Sequence, residues 1–253
     1  KNAVRLRDGR QRRLQGRILI DGLREIGREL TAGVAIREVF FCPTLLTNEV
    51  GTALIARLRE AGAELLEVTE NVFTKLAFGQ RTDGVLAVAE PPAAEPASLL
   101  LPDNPLVAVL EGIEKPGNVG AVVRSADGAG LDAVVVADPR TDLFNPNAIR
   151  ASLGTIFAMP VCEATSPQTL AWLRERRFNI VAARVDGSVP YTEIDFRQPT
   201  ALVLGSEANG LSSLWHEEAI TAVHLPMLGL ADSLNISVAA AVLFYEARRQ
   251  RSL

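Results

Sequence analysis

The chain is predicted to be α/β, with a C-terminal parallel sheet carrying helices on both faces and a smaller N-terminal α/β unit. Three observations lead there. Short apolar runs alternate with helix-length stretches along most of the sequence. The C-terminal runs, such as Leu106-Val107-Ala108-Val109-Leu110 and Ala133-Val134-Val135-Val136-Ala137, lack the polar alternation of a half-exposed strand and so read as buried on both faces. Residues 90–105 (EPPAAEPASLLLPDNP) hold five prolines, which forbid regular helix and mark a break between units. The organisation expected is therefore 1–90, a linker at 91–104, and 105–253.

The elements follow in order. In the first unit residues 18–30 read as a helix, 38–41 as a strand, 48–61 as a helix, and 64–68 and 84–89 as strands. Beyond the linker come a strand at 106–110, a helix at 118–128 and a strand at 133–137. A helix at 147–153, a strand at 156–161 and a helix at 167–177 follow. Strands at 179–183 and 202–204, a short helix at 214–219, a strand at 222–225 and a last helix at 236–249 complete the series. Strand–helix–strand repetition of this kind builds a parallel sheet.

Composition narrows the function classes. The 253 residues are 48% hydrophobic and 22% charged, enough for one large or two modest domains. Two cysteines, Cys42 and Cys162, lie far apart, and His216 and His224 are the only histidines. A disulfide scaffold or a metal centre is not expected, and a reducing cytoplasm fits. No apolar run approaches the roughly 20 residues that span a bilayer. Net charge is −4, yet residues 1–28 carry nine basic against three acidic side chains. A basic arm on an acidic body suits a polyanion contacted locally, such as RNA, with Arg12 and Arg13 as candidate contacts. The plainer reading is a solvated, helix-supporting charge run.

Three segments could carry chemistry. Residues 111–130 (EGIEKPGNVGAVVRSADGAG) follow a buried strand and open a helix, the place where α/β proteins bind ligands. Asn118 is placed as the helix N-cap, and Arg124 is a lone charge in a mostly apolar helix. Gly128 to Ala133 match GxGxxA, but they end a helix instead of opening one, so a helix C-cap explains them better than a dinucleotide site. Residues 205–211 (GSEANGL) form a tight loop after a strand and aim Glu207 at a site. In residues 225–237 (LPMLGLADSLNIS), Ser233, Asn235 and Ser237 alternate with Leu234 and Ile236 at a helix start.

Taken in order, PGNVGAVVRSADGAGLDAVVV, ALVLGSEANGLS and LPMLGLADSLNISVAAAVLFYEARR resemble the three motifs of the SpoU/TrmH-type (SPOUT) RNA 2′-O-ribose methyltransferases. Residues 1–90 resemble, more loosely, the L30e-like substrate-binding domain of the ribosomal-RNA members. The resemblance implies a deep trefoil knot, S-adenosylmethionine bound in it, and a homodimer built around the knot region. It implies cofactor contacts at Gly205, Leu225, Met227, Gly229 and Leu234. It puts Asn118, Arg124, Glu207, Ser233 and Asn235 at polar active-site positions, and Arg150 near RNA. Two departures touch no proposed catalytic side chain: Ala208 in place of a second-motif glycine, and Arg124-Ser125-Ala126-Asp127-Gly128 where the first motif often has RTAD followed by an aromatic. A transfer-RNA enzyme of the same family and a non-catalytic RNA-binding or assembly factor are the alternatives.

Overall fold

The structure is a computed structural model that describes residues 2–78 and 83–251. In chain order its elements are α1 (Asn2–Arg5), α2 (Gly9–Gln15), β1 (Ile18–Asp21), α3 (Leu23–Thr31), β2 (Ile36–Phe41), α4 (Glu49–Glu60), β3 (Glu64–Glu67), α5 (Glu70–Leu76) and β4 (Val85–Ala89). There follow β5 (Leu106–Glu111), α6 (Pro116–Ala129), β6 (Ala133–Ala137), α7 (Pro146–Ala151), α8 (Thr155–Ala158), β7 (Val161–Ala164) and α9 (Ser166–Glu175). The chain closes with β8 (Asn179–Ala183), β9 (Val189–Pro190), β10 (Thr200–Leu204), β11 (Thr221–His224) and α10 (Ile236–Gln250). The expected folding of most elements holds, and the differences have local causes.

Two compact units form. The first contains residues up to Pro92 together with Phe144–Ala158, and the second contains Ala93–Leu143 and Met159–Leu253. The first is built on a four-stranded sheet in the order β1-β4-β2-β3, antiparallel except for the β2–β3 pair. Here the helix expected at 18–30 is corrected. Ile18–Asp21 form β1, because pairing with β4 holds them extended and Gly22 turns at φ 118° before α3 can start. Likewise 156–161 is not one strand: Ile156 and Phe157 are buried on α8, and β7 starts only after Pro160, whose ring supplies no N–H. Helices α1, α2 and α5 carried no clear periodic signal.

The second unit holds a seven-stranded sheet in the order β7-β6-β5-β10-β8-β11-β9, its neighbouring strands paired in parallel. All six residues of β5 and all five of β6 and β10 are buried, as two covered faces require. On one face Val107, Val109, Val135 and Ala201 pack under Leu170, Trp172 and Leu173 of α9 and under Trp215. Helices α6 and α10 pack on each other, on β6 and on β10. Leu99 is buried in the α9-side core, so the proline-rich stretch is not a free tether along its length. Helix α9 starts with a reciprocal capping box between Thr165 and Gln168. Helix α6 ends on Gly130 at φ 67°, the left-handed cap that its glycines suggested. Among the described residues no helix is long and apolar enough to cross a membrane, and no cluster of three or more His, Cys, Asp or Glu could hold a metal ion.

Candidate active site

Strands β10, β8 and β11 are neighbours in the sheet, and the segments beyond their carboxyl ends enclose one cavity of about 580 Å³. That is the end of an open α/β sheet where ligands bind, and the size is in the range of small-molecule pockets. Residues 183–186, 204–211 and 223–225 line it, together with Met227, Asp232, Ser233 and Leu234. Ile236, Ala239 and Leu243 of α10 add an apolar wall.

The loop after β10 is made possible by two glycines. A Cβ on Gly205 would lie 2.3 Å from the carbonyl carbon and oxygen of Gly210, so no larger residue fits there. Gly210 takes φ 64°, and the two limbs close on each other: Ser206 N donates to Gly210 O at 3.1 Å and Gly210 N to Ser206 O at 2.8 Å. Glu207 stands at the tip. Its Oε1 accepts from Asn118 Nδ2 at 2.6 Å and from Asn235 Nδ2 at 2.8 Å, while Lys115 Nζ lies 3.0 Å from Oε2. One carboxylate therefore ties the start of α6, the 205–210 loop and the cap of α10 together. Asn235 also accepts from Ser237 N at 2.9 Å and from Ser237 Oγ at 2.6 Å, which caps α10.

Of the expected site residues, Gly205, Glu207, Leu225, Met227, Ser233 and Leu234 line the cavity, whereas exposed Gly229 does not. Asn118 and Asn235 meet at Glu207. Asn118 is not the helix N-cap, however; α6 starts at Pro116 with Lys115 as cap, which leaves the Asn118 amide free to reach Glu207. Arg124 is exposed and makes no hydrogen bond or ion pair among the described residues, so Glu207 holds Asn118 and not Arg124.

The expected RNA contacts divide. Arg13 is exposed on α2. Arg12 is only 4% exposed and donates to Leu6 O at 2.7 Å and Arg7 O at 2.9 Å, so it pins the α1–α2 turn and offers no open face to a phosphate. Arg150 lies 5.2 Å over the Phe78 ring, donates to Phe78 O and sits 3.7 Å from Asp21 Oδ2, with about a third of its side chain still exposed.

Sequence reasoning missed several site groups. Lys115 completes the Glu207 cluster. Arg184 grips Asp186 through Nε at 2.9 Å and Nη2 at 2.6 Å on the cavity rim, and that hydrogen bond holds the Asp186 carboxyl below its usual range. His216 and His224 line the wall, and His224 Nδ1 is buried with no hydrogen-bond partner among the described residues. The signal for Lys115 was its place beside Pro116 at a helix start. Arg184 and the histidines had none, because contact across the sheet ends is not local in sequence.

Comparison with known proteins finds relatives of this chain along most of its length. The family model described as the SpoU rRNA methylase family matches residues 105–245, and one described as an MRM3-like substrate binding domain matches residues 1–87. A 23S rRNA (guanosine-2′-O-)-methyltransferase RlmB of Bordetella pertussis is 31% identical over 231 residues, 89% of this chain and 94% of that protein. A 23S rRNA (uridine(2479)-2′-O)-methyltransferase of Streptomyces viridochromogenes is 29% identical over 93% of this chain and 84% of its own. A solved RNA 2′-O ribose methyltransferase superposes with TM-score 0.86 at 39% identity, over 99% of this chain and 95% of that one. The SpoU methyltransferase AviRb of Streptomyces viridochromogenes, in complex with the cofactor AdoMet, superposes with TM-score 0.90 at 28% identity, over 99% and 96%. With more than half its length matched by the family model, its second and third motifs lining one cavity and its first joined to them through Asn118 and Glu207, the chain belongs to the SpoU rRNA methylase family.

Proposed function

We propose that this protein transfers a methyl group from S-adenosylmethionine to a ribose 2′-hydroxyl of RNA, with 23S ribosomal RNA as the substrate. The observation that carries the reading is the shared Glu207 cluster, which joins an acceptor-side helix bearing Asn118 and Arg124 to a cavity at the strand ends. The cavity suits the cofactor: the backbone at Gly205 and Leu225 offers donors and acceptors, and Val223, Ile236 and Leu243 offer apolar surface. When bound, S-adenosylmethionine supplies a methyl carbon already activated by a sulfonium sulfur. The chain must place a ribose hydroxyl in line with it and ease the loss of the hydroxyl proton. Arg124 orients the hydroxyl or its neighbouring phosphate and stabilises the developing alkoxide charge. A guanidinium stays protonated in proteins, so Arg124 is not the base, and the proton leaves to a phosphate or to water. Glu207 keeps Asn118 and Asn235 at fixed positions around the reacting groups.

The same reading covers the rest of the molecule. Residues 1–90 form an L30e-like substrate-binding domain, 91–104 connect it, and 105–253 form the catalytic domain with a trefoil knot. Support for the knot is the position of β10 between β5 and β8 and the return of α10 onto α6. A homodimer through this region is supported by exposed apolar side chains at Leu228, Leu230, Val238 and Tyr245. Arg13 and the open part of Arg150 contact RNA, and the enzyme works in the cytoplasm without a metal. Calorimetric titration with S-adenosylmethionine, followed by mapping of 2′-O-methyl sites in ribosomal RNA with and without the gene, tests the proposal. Binding and one lost methylation site are expected; no binding and no changed site would overturn it.

A further inference from the structure

Glu111, the last residue of β5, is 6% exposed, and four donors converge on it. Its Oε1 accepts from Ser166 Oγ at 2.8 Å, Ser212 Oγ at 2.7 Å and Trp215 Nε1 at 2.8 Å, and its Oε2 accepts from Ser212 N at 2.7 Å. None of these donors lies near it in sequence. In the sheet register Leu110 pairs with Leu204, so Glu111 and Gly205 are the next residues out of two adjacent strands. From Glu111 the chain runs directly into the 112–115 loop and α6, which carry Lys115, Asn118 and Arg124. From Gly205 it runs into the Glu207 loop, which Ser212 ends, and then to the turn Ser213–His216 that brings His216 to the cavity wall.

We infer that Glu111 is a positioning residue that sets the acceptor side of the site in register with the cofactor cavity. The Glu207 loop is fixed at its start by the β10 backbone. Its far end has no strand to hold it, and Glu111 holds it there by the Ser212 backbone, the Ser212 hydroxyl and the Trp215 indole. Because β5 also leads into α6, a shift at Glu111 moves Asn118 and Glu207 relative to each other. The inference rests on the cavity being the S-adenosylmethionine site.

Donor chemistry gives a sharp test. In Glu111→Gln the side chain has one acceptor oxygen and one NH₂. With its oxygen toward the three side-chain donors, the NH₂ faces the Ser212 N–H. Flipped, it faces the Trp215 indole N–H; the two hydroxyls can rotate to accept, but the indole cannot. Either way one N–H meets a donor. Removing the indole donor with Trp215→Phe therefore makes the flipped amide acceptable.

The experiment is calorimetric titration of S-adenosylmethionine into wild type, Glu111→Gln, Trp215→Phe and the double variant, with cofactor and RNA KM measured on each. Glu111→Gln is expected to weaken cofactor binding about tenfold or more and to raise the cofactor KM, with the RNA KM unchanged. The double variant is expected to recover at least threefold over Glu111→Gln. Ser212→Ala, at an exposed residue, removes one hydroxyl donor and is expected to weaken binding about threefold, which keeps the test open if Glu111→Gln does not fold. Cofactor affinity within twofold of wild type in Glu111→Gln or, should that variant not fold, in Ser212→Ala would overturn the inference. So would additive losses in the double variant, or a fall in melting temperature with no change in cofactor KM. Failure of the wild type itself to bind S-adenosylmethionine would instead overturn the functional reading beneath it.

Discussion

Two of the buried glutamates, Glu111 from the second unit and Glu29 from the first, show how differently the same side chain can be accommodated. Glu111 in the second unit is met by four donors from three distant residues. Glu29, on α3 of the first unit, is fully buried, and both of its carboxyl oxygens lack a hydrogen-bond partner among the described residues. Burial alone pushes the Glu29 carboxyl from 4.5 up to about 9, so it is carried as the neutral acid at physiological pH. Glu111 holds a loop at the strand ends, where the cavity is. Glu29 has no such task among the described residues.

If chemistry resides in the second unit, the largest effects belong there. Arg124→Ala is expected to lower kcat for RNA methylation by about 10²–10³-fold, the usual loss for one group stabilising developing charge, while cofactor affinity by calorimetry stays within a few-fold. Turnover near wild type on the natural RNA would remove Arg124 from the mechanism. Glu207→Ala comes next. It releases Asn118, Asn235 and Lys115 at once; the exposed Lys115 pair contributes only about 0–1 kcal/mol, so the two amide bonds carry most of the effect. Loss of about 10–100-fold in kcat is expected. An unchanged rate would mean that the cluster is only a brace for α10.

Much of this contrast was legible beforehand, and the limits are physical. The strands of the second unit announce themselves because two covered faces leave no room for polar alternation, as in Val134-Val135-Val136. Gly205, Glu207 and Asn235 stood out because polar or glycine residues interrupt apolar runs. By the same logic Glu111 was visible as an acid ending an all-apolar strand, although its partners Ser166, Ser212 and Trp215 are 55 to 104 residues away and no local pattern points to them. Ile18 to Asp21 were misread because four residues fit either period, and only pairing with β4 decides. Arg12 was read as an RNA contact because charge in a sequence carries no burial; two carbonyls in the α1–α2 turn claim it.

The first unit offers a smaller effect of opposite sign. Replacing Glu29 with Met removes a buried polar group that nothing satisfies, and such groups cost about 1–3 kcal/mol. The variant should therefore melt higher than wild type by chemical or thermal denaturation, with unchanged kcat. Its pH dependence provides a second reading. Because the folded-state value is raised, the unfolded chain releases the proton first as pH climbs. The contribution of Glu29 to stability is thus complete below 4.5 and is lost progressively up to about 9. Wild type should lose stability across that window, and Glu29→Met should lose less. A destabilised Glu29→Met with the wild-type pH slope would show that the carboxyl has a partner and that the contrast with Glu111 is false.

Cys162, on β7 of the second unit, gives the smallest effect and tests whether burial or partner supply governs the difference. It is 2% exposed and lies in the core beneath α9. Burial first, and the neighbouring Glu163 charge second, push its thiol up to about 12. Only the thiolate is a competent nucleophile, so two barriers act together: almost no thiolate at pH 8, and no path for a reagent. Alkylation by iodoacetamide at pH 8, followed by peptide mass spectrometry, should find Cys162 unmodified in the native protein and fully modified in urea. Its native rate should then track local or global opening and rise with denaturant. Methyl transfer should be unaffected by the treatment, since Cys162 is not among the residues lining the cavity. Fast native labelling would mean that the core under α9 opens readily, and a second unit that opens there could not hold Glu111 and its donors in fixed register.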